Sequence, residues 1–178
     1  MSEFSESYHL KTGQASEAVE LLRRAGVSGF VFPPENGWVT FLAVDGKFVP
    51  DQRITNANQQ ALLHFHSCDD HGWGFSYFEA GKPVCSFKCD WTRKVKVTDS
   101  QYSGAVLEQL IAAHGTSTLV AVEAVLRPSS FERAMELRPA EVFVSAVGLS
   151  RSAWLPFDQL ADDYESSPRH YPDVVKVE

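Results

Sequence analysis

The stretch that decides the fold is FHSCDDHGWGFSYFEAGKPV, residues 65–84. Aromatic residues alternate with small or polar ones on the two sides of the Asp-Asp-His-Gly segment, and Ala-Gly marks a second turn. Alternation interrupted by tight turns is typical of antiparallel strands. The stretch therefore predicts a hairpin, followed by a further strand over residues 84–89.

A second stretch, FVFPPENGWVTFLAVDGKFV at residues 30–49, aligns with the first at an offset of 35 residues. Six of the twenty aligned positions are identical, and glycine recurs at both turns. A helical pattern precedes each stretch, over residues 15–26 and 55–63, and the first pattern ends at a glycine. We therefore predict two similar helix-hairpin units, an αββ repeat.

From residue 99 onward the pattern indicates helices, over residues 100–115, 129–139, 139–149 and near 156–164. Residues 117–128 fit a helix or a buried strand, because periodicity does not separate the two in so short a run, and we favour a helix. The prediction is a single α+β domain over residues 1–178. Residues 1–98, with a short strand near 7–12, form an antiparallel twisted sheet, and the mainly helical half, 99–178, packs on it.

Composition narrows the classes of function. The 178-residue chain is 44% hydrophobic and 22% charged, which favours a folded core, and its net charge of −7 disfavours binding to nucleic acid. We find no apolar run long enough to span a membrane, and residues 1–15 lack a basic start followed by an apolar block. The three cysteines are odd in number and lack the paired spacing of a disulfide framework. These features predict a cytoplasmic protein with reduced thiols.

Strand alternation places the chemically versatile residues around the first turn. His64, His66 and Cys68 project from one face of their strand. With the turn centred on Asp70 and His71, we expect Cys68 to pair with Trp73 in the next strand. The same face is then predicted to carry Trp73, Phe75 and Tyr77. The opposite face, with Leu63, Phe65 and Phe78, is the predicted main core.

These residues support a metal hypothesis. His64 and His66 are neighbours about 7 Å apart along the strand and can converge on one zinc ion or another transition metal. Cys68, Asp70 or His71 would complete the shell, which predicts a metal-binding protein or a metal-dependent hydrolase. The ordinary alternative is that the aspartates accept hydrogen bonds in a turn and the histidines pack against aromatic rings. A cysteine nucleophile at Cys68 with His66 as base is a weaker alternative.

The first functional hypothesis is a binding or regulatory protein without catalytic activity or cofactor. The chain has no HExxH, paired CxxC, GxSxG, Walker or dinucleotide-binding pattern. We expect such a protein to act on another protein, and Trp73, Phe75 and Tyr77 are its predicted contact surface.

Overall fold

An antiparallel sheet of eight strands runs through the molecule, and helices pack on both of its faces. The computed structural model describes residues 4–151 and 156–178. The strands are β1 (Phe4–Leu10), β2 (Gly29–Val31), β3 (Val39–Ala43), β4 (Ala61–Cys68), β5 (Gly72–Glu79), β6 (Lys82–Asp90), β7 (Lys96–Thr98) and β8 (Val175–Val177). The helices are α1 (Ala15–Ala25), α2 (Gln52–Ala57), α3 (Gly104–His114), α4 (Leu119–Leu126), α5 (Phe131–Leu137), α6 (Pro139–Val147) and α7 (Phe157–Ser166). This confirms the predicted α+β class.

Strand β1 lies inside the sheet, whose order is β7-β6-β5-β4-β1-β3-β2-β8. It pairs with β3 on one side and with β4 on the other. The two hairpins, β2–β3 and β4–β5, therefore flank β1 and do not pair with each other. We call the face that carries Glu6, His64 and His66 the front face, and the face that carries Phe65 and Trp73 the back face.

Different helices cover the two faces. Helices α1 and α2 pack on the front face around Leu10, Phe41 and Leu62. Helices α3 to α6 cover the back face of β4, β5 and β6, where the ring of Phe143 stacks on Phe75 with centroids 4.3 Å apart. Helix α7 covers the back face of β2 and β3. Within residues 4–151 and 156–178, no helix has the length and apolar character needed to cross a membrane.

The second predicted helix is misplaced along the chain. The helix spans Gln52–Ala57 instead of residues 55–63, and its N-cap is Asp51, whose carboxylate accepts from the Arg53 amide at 2.8 Å. The Asn58 side chain then donates to the Gln60 carbonyl and accepts from the Gln60 amide, at 2.6 and 3.2 Å. These local bonds compete with helix continuation, so the chain leaves the helix and enters β4.

The two hairpins share a shape but not a register, which leaves the predicted repeat unsupported. Phe30 pairs with Leu42 in the first hairpin. The aligned residue Phe65 would then pair with Tyr77, but it pairs with Phe75. The continuations also differ, because the second hairpin leads into β6 whereas the first leads into a loop and α2.

The C-terminal half matches the predicted helices, and residues 117–128 contain a helix, as we favoured. Two further short strands lie at the edges of the sheet. Strand β7, within the predicted sheet-forming half, extends the sheet beyond β6, and β8 pairs with β2 at the other edge. Through β8, which was not predicted, the C-terminal half also contributes to the sheet.

Candidate metal centre

The turn between β4 and β5 is one residue shorter than predicted. Cys68 pairs with Gly72 and not with Trp73, and Gly72 has a φ of 136° that glycine adopts without strain. A slip of one residue moves every side chain of a strand to the other face. The predicted shared face is therefore wrong for β5, whereas His64, His66 and Cys68 do share the front face.

The aromatic residues of β5 are consequently not a contact surface for a partner. Trp73, Phe75 and Tyr77 lie on the back face and are buried with Phe65 beneath helices α3 to α6. The ring of Trp73 packs against that of Phe143, with centroids 5.4 Å apart. The predicted partner-binding role of these three residues on an open surface is corrected to a role in the core.

His64 does not join the ligand atoms at the turn, although its ring lies 5.8 Å from that of His66 between centroids. Its side chain is buried, its Nε2 donates to Glu6 Oε1 at 2.7 Å, and its ring lies against Tyr8 at a centroid distance of 4.8 Å. Glu6 Oε2 also accepts from the backbone amide of Phe48, at 2.7 Å. His64 therefore ties the loop after β3 to the sheet through Glu6.

Three of the predicted ligands do come together at the turn. Cys68 Sγ, Asp70 Oδ1 and His71 Nδ1 all lie within 4.8 Å of one another. The thiol lies 3.4 Å from the carboxylate oxygen and 3.2 Å from the imidazole nitrogen, and the imidazole N–H donates to the same carboxylate at 2.5 Å.

These separations can be compared with a metal site. In a tetrahedron with zinc bonds of about 2.0–2.3 Å, ligand atoms lie roughly 3.3–3.8 Å from each other. Both distances from the thiol are close to this range. The third, from carboxylate to imidazole, must widen by about 0.8 Å to reach it, and both side chains are about half exposed and have room to turn.

The Cys68 thiol is a poor nucleophile in this setting. Burial raises its pKa to about 11, and the neighbouring Asp70 carboxylate acts in the same direction. Because the thiolate is the reactive form, a thiol with this pKa stays protonated near neutral pH. This disfavours the cysteine nucleophile, whereas a bound cation would replace the thiol proton.

A pocket of about 220 Å³ lies on the front face and is lined by two of these three residues, Cys68 and His71. His66 lines it, is 9% exposed, and has no hydrogen-bond partner among residues 4–151 and 156–178 for either ring nitrogen. Burial, with smaller effects of His64 and Lys88, lowers the pKa of His66 to about 3, so the ring is neutral. A neutral imidazole has one donor and one acceptor, and leaving both buried without partners is costly.

Five further lining residues were not singled out from the sequence: Phe4, Phe48, Lys88, Asp90 and Thr92. They come from three separate segments that only the strand pairing brings together. Phe4 had a usable signal, because it alternates in phase with Glu6 and Tyr8 along β1. This alternation would have placed Phe4 beside Cys68 only if the pairing of β1 with β4 had been known.

A larger cavity, of about 640 Å³, lies on the back face between β4 and α6. Polar and charged side chains, among them Asp69, His114, Arg138 and Glu141, line it together with apolar ones. The buried side-chain atoms without a hydrogen-bond partner in the described part of the chain all lie on residues outside this cavity. We therefore place the candidate site at the smaller pocket, where metal-ligating atoms and an unpartnered imidazole coincide.

Comparisons with known proteins do not assign a family to this chain. No protein-family model matches it, and neither the curated proteins nor the solved structures give a significant match. The interpretation of the site therefore rests on its own chemistry.

Proposed function

We propose that the protein binds a divalent transition metal at the β4–β5 turn, through Cys68 Sγ, a carboxylate oxygen of Asp70 and Nδ1 of His71. The observation that carries the proposal is the convergence of these three atoms within 4.8 Å, beside the buried ring of His66, whose nitrogens have no hydrogen-bond partner in the described part of the chain. This retains three predicted ligands and assigns His64 to the structure of the front face.

The ligand set favours particular metals. A thiolate with an imidazole and a carboxylate suits zinc, and the same set accepts cobalt or iron(II). Calcium and magnesium prefer all-oxygen ligands and fit this set poorly. A cytoplasmic location, where thiols stay reduced, would keep Cys68 available.

Three protein ligands leave one tetrahedral position for water or another small ligand. Sites with an open position are typical of catalytic zinc, whereas structural zinc usually has four protein ligands. A metal-bound water has a pKa near 7 in favourable sites, which is the basis of the hydrolase alternative. Regulation of another protein remains a separate proposal, and it now requires a surface other than Trp73, Phe75 and Tyr77.

Cobalt titration of chelator-treated protein tests the proposal, because a thiolate–cobalt bond absorbs in the near ultraviolet. We expect one ion per chain, loss of the absorption in Cys68→Ser, and affinity at least tenfold weaker in His71→Ala. His170→Ala is the matched control, since His170 is another exposed histidine far along the chain. Absorption that survives Cys68→Ser, or the lack of stoichiometric binding, would refute the proposal.

The thiol also predicts the pH dependence of binding. Because the pKa of Cys68 is raised to about 11, binding must displace its proton over the whole neutral range. Affinity should rise about tenfold for each pH unit, and about one proton should be released per ion bound. Calorimetry in two buffers of different ionisation enthalpy measures that release, and a value near zero would contradict thiolate ligation.

A further inference from the structure

We propose that the pocket beside the metal site binds a short-chain carboxylate, with one oxygen on the open metal position and the head group between Lys88 and His66. This inference rests on the proposed function, because the metal supplies the first contact. It specifies the class of ligand that the pocket selects.

The size of the pocket limits the ligand. A volume of about 220 Å³ corresponds to roughly seven water molecules at liquid density. Part of the floor is glycine: Gly72 lines the pocket, and a Cβ there would come within 2.1 Å of the Cys89 carbonyl. The floor therefore remains free of side chains there, and the pocket accepts only a small molecule.

The polar side chains of the pocket select an anion. Lys88 pairs across the sheet with Gly74 and lines the pocket, and it forms no ion pair with the residues that the structure describes. The N–H of the neutral His66 ring has no acceptor among the residues that the structure describes, and a carboxylate oxygen can provide one. A cationic ligand would be repelled by Lys88 and by the metal.

Asp90 also lines the pocket and opposes an anion. Its carboxylate accepts from the backbone amide of Thr92 at 3.0 Å, which directs part of its charge away from the ligand. With a divalent ion, the Cys68 thiolate and the Asp70 and Asp90 carboxylates, the formal charge before Lys88 is −1. Lys88 brings this formal charge to zero. We therefore expect an anion to bind well only when Lys88 is present.

The apolar wall favours a carboxylate with a short tail over a bare oxyanion. The rings of Phe4 and Phe48 lie with centroids 5.8 Å apart, and Phe48 also lies 6.2 Å from the His66 ring. Two or three methylene groups would pack against these rings and gain affinity from apolar burial. The chain length of the ligand should therefore affect its binding.

Cobalt-loaded protein provides the test, with acetate, butyrate and imidazole as probes of the visible spectrum. We expect saturable shifts with all three, and butyrate binding at least threefold tighter than acetate. Lys88→Met should weaken both carboxylates about tenfold, as for the loss of a charge-assisted hydrogen bond, and leave neutral imidazole unchanged. Lys82→Met, at the other end of β6, is the control for the change in net charge.

A second pair of variants tests the apolar wall. Phe48→Ala should abolish the preference for butyrate over acetate, whereas Val49→Ala, at the exposed neighbouring position, should preserve it. If cobalt binds but carboxylates bind no better than chloride, or Lys88→Met weakens imidazole and carboxylates alike, the inference fails and the metal site stands. If cobalt does not bind, the proposed function fails first.

Discussion

At the scale of single residues, His9 shows how the sheet buries an ionisable group. Its side chain is fully buried on the back face of β1. Its Nε2 lies 2.9 Å from Ser7 Oγ and its Nδ1 lies 3.0 Å from Thr40 Oγ1. A neutral ring satisfies both hydroxyl groups, since one nitrogen donates and the other accepts. The fold therefore accommodates His9 in its uncharged form.

This burial predicts a loss of stability in acid. Burial, and to a smaller degree His64, lowers the pKa of His9 to about 3. Below about pH 6.5 the unfolded chain takes up a proton that the folded chain refuses, so stability falls as the pH drops from 6.5 toward 3. Between pH 7.5 and 5.5 His9 should contribute a loss of about 1.4 kcal/mol in the free energy of unfolding.

Urea unfolding of the wild type and of His9→Gln at the two pH values measures this contribution. Whatever the absolute stability of the variant, the difference between its free energies of unfolding at the two pH values should be smaller than that of the wild type by about 1.4 kcal/mol. His170→Gln, at an exposed position, should retain the wild-type difference. An equal acid loss in His9→Gln would show that other groups cause it.

The same scale shows what the sequence could predict of the candidate site. Alternation along β4 correctly placed His64, His66 and Cys68 on one face. The partner strand could not be placed from alternation, because its phase depends on whether three or four residues form the turn. That choice depends on the backbone of Gly72, and either turn length is compatible with the residue types.

At the scale of elements, helix α1 packs closely on the sheet at Gly29 of β2, which has no side chain. A Cβ on Gly29 in β2 would come within 2.4 Å of the Leu42 carbonyl and 2.9 Å of Leu22 Cδ1 in α1. Backbone cannot move aside as a flexible side chain can. The amphipathic pattern of residues 15–26 predicted the helix correctly, whereas this close approach is visible only once β2 and β3 are paired.

Gly29→Ala should therefore destabilise the protein, by about 1–3 kcal/mol as for other overpacked sites. Gly13→Ala is the matched control, because a Cβ there meets no atom within 4 Å. Alanine also restricts the unfolded chain, so the control should be neutral or slightly stabilising. Thermal unfolding of both variants provides the comparison, and equal melting temperatures would contradict the close packing of α1 on β2.

The loop over residues 44–51 is a second element whose position depends on few contacts. Glu6 accepts from the Phe48 amide at 2.7 Å, and Tyr8 Oη accepts from the Asp51 amide at 2.8 Å. Phe48 has a φ of 56°, which is unfavourable for an aromatic residue. The hydrogen bond from its amide to Glu6 stabilises this conformation.

Glu6→Ala should release the loop, and because it also removes the acceptor of the buried His64 Nε2, a smaller effect is expected along β4. A hydrogen bond to a charged group contributes about 1.5–3 kcal/mol, so hydrogen exchange at the Phe48 amide should accelerate at least tenfold. The Leu63 amide in β4 should accelerate less. Glu20→Ala, which removes an exposed carboxylate paired with Arg23 on α1, is the control and should leave Phe48 unchanged. Uniform acceleration of all amides would instead indicate global destabilisation.

At the scale of the whole molecule, the sheet joins segments that are far apart along the chain. Gly29 of β2 pairs with Val177 of β8, across nearly the full length of the sequence. Local patterns predict helices and hairpins well because their contacts are local. They do not reveal that β1 separates the hairpins or that β8 closes an edge, because such pairings depend on how complete elements pack.

The contribution of β8 to the whole fold is testable with one pair of substitutions on the same strand. Val177 is 4% exposed and packs in the cluster that includes α1, whereas Val175 is 41% exposed. Val177→Asp places an unpaired charge in that cluster and should cost about 3 kcal/mol or more, while Val175→Asp should cost less than about 1 kcal/mol. Because one sheet underlies all the helices, tryptophan fluorescence and far-ultraviolet circular dichroism should report the same shifted urea midpoint for Val177→Asp. Separate midpoints, or a midpoint equal to that of Val175→Asp, would mean that β8 is not part of the cooperative fold.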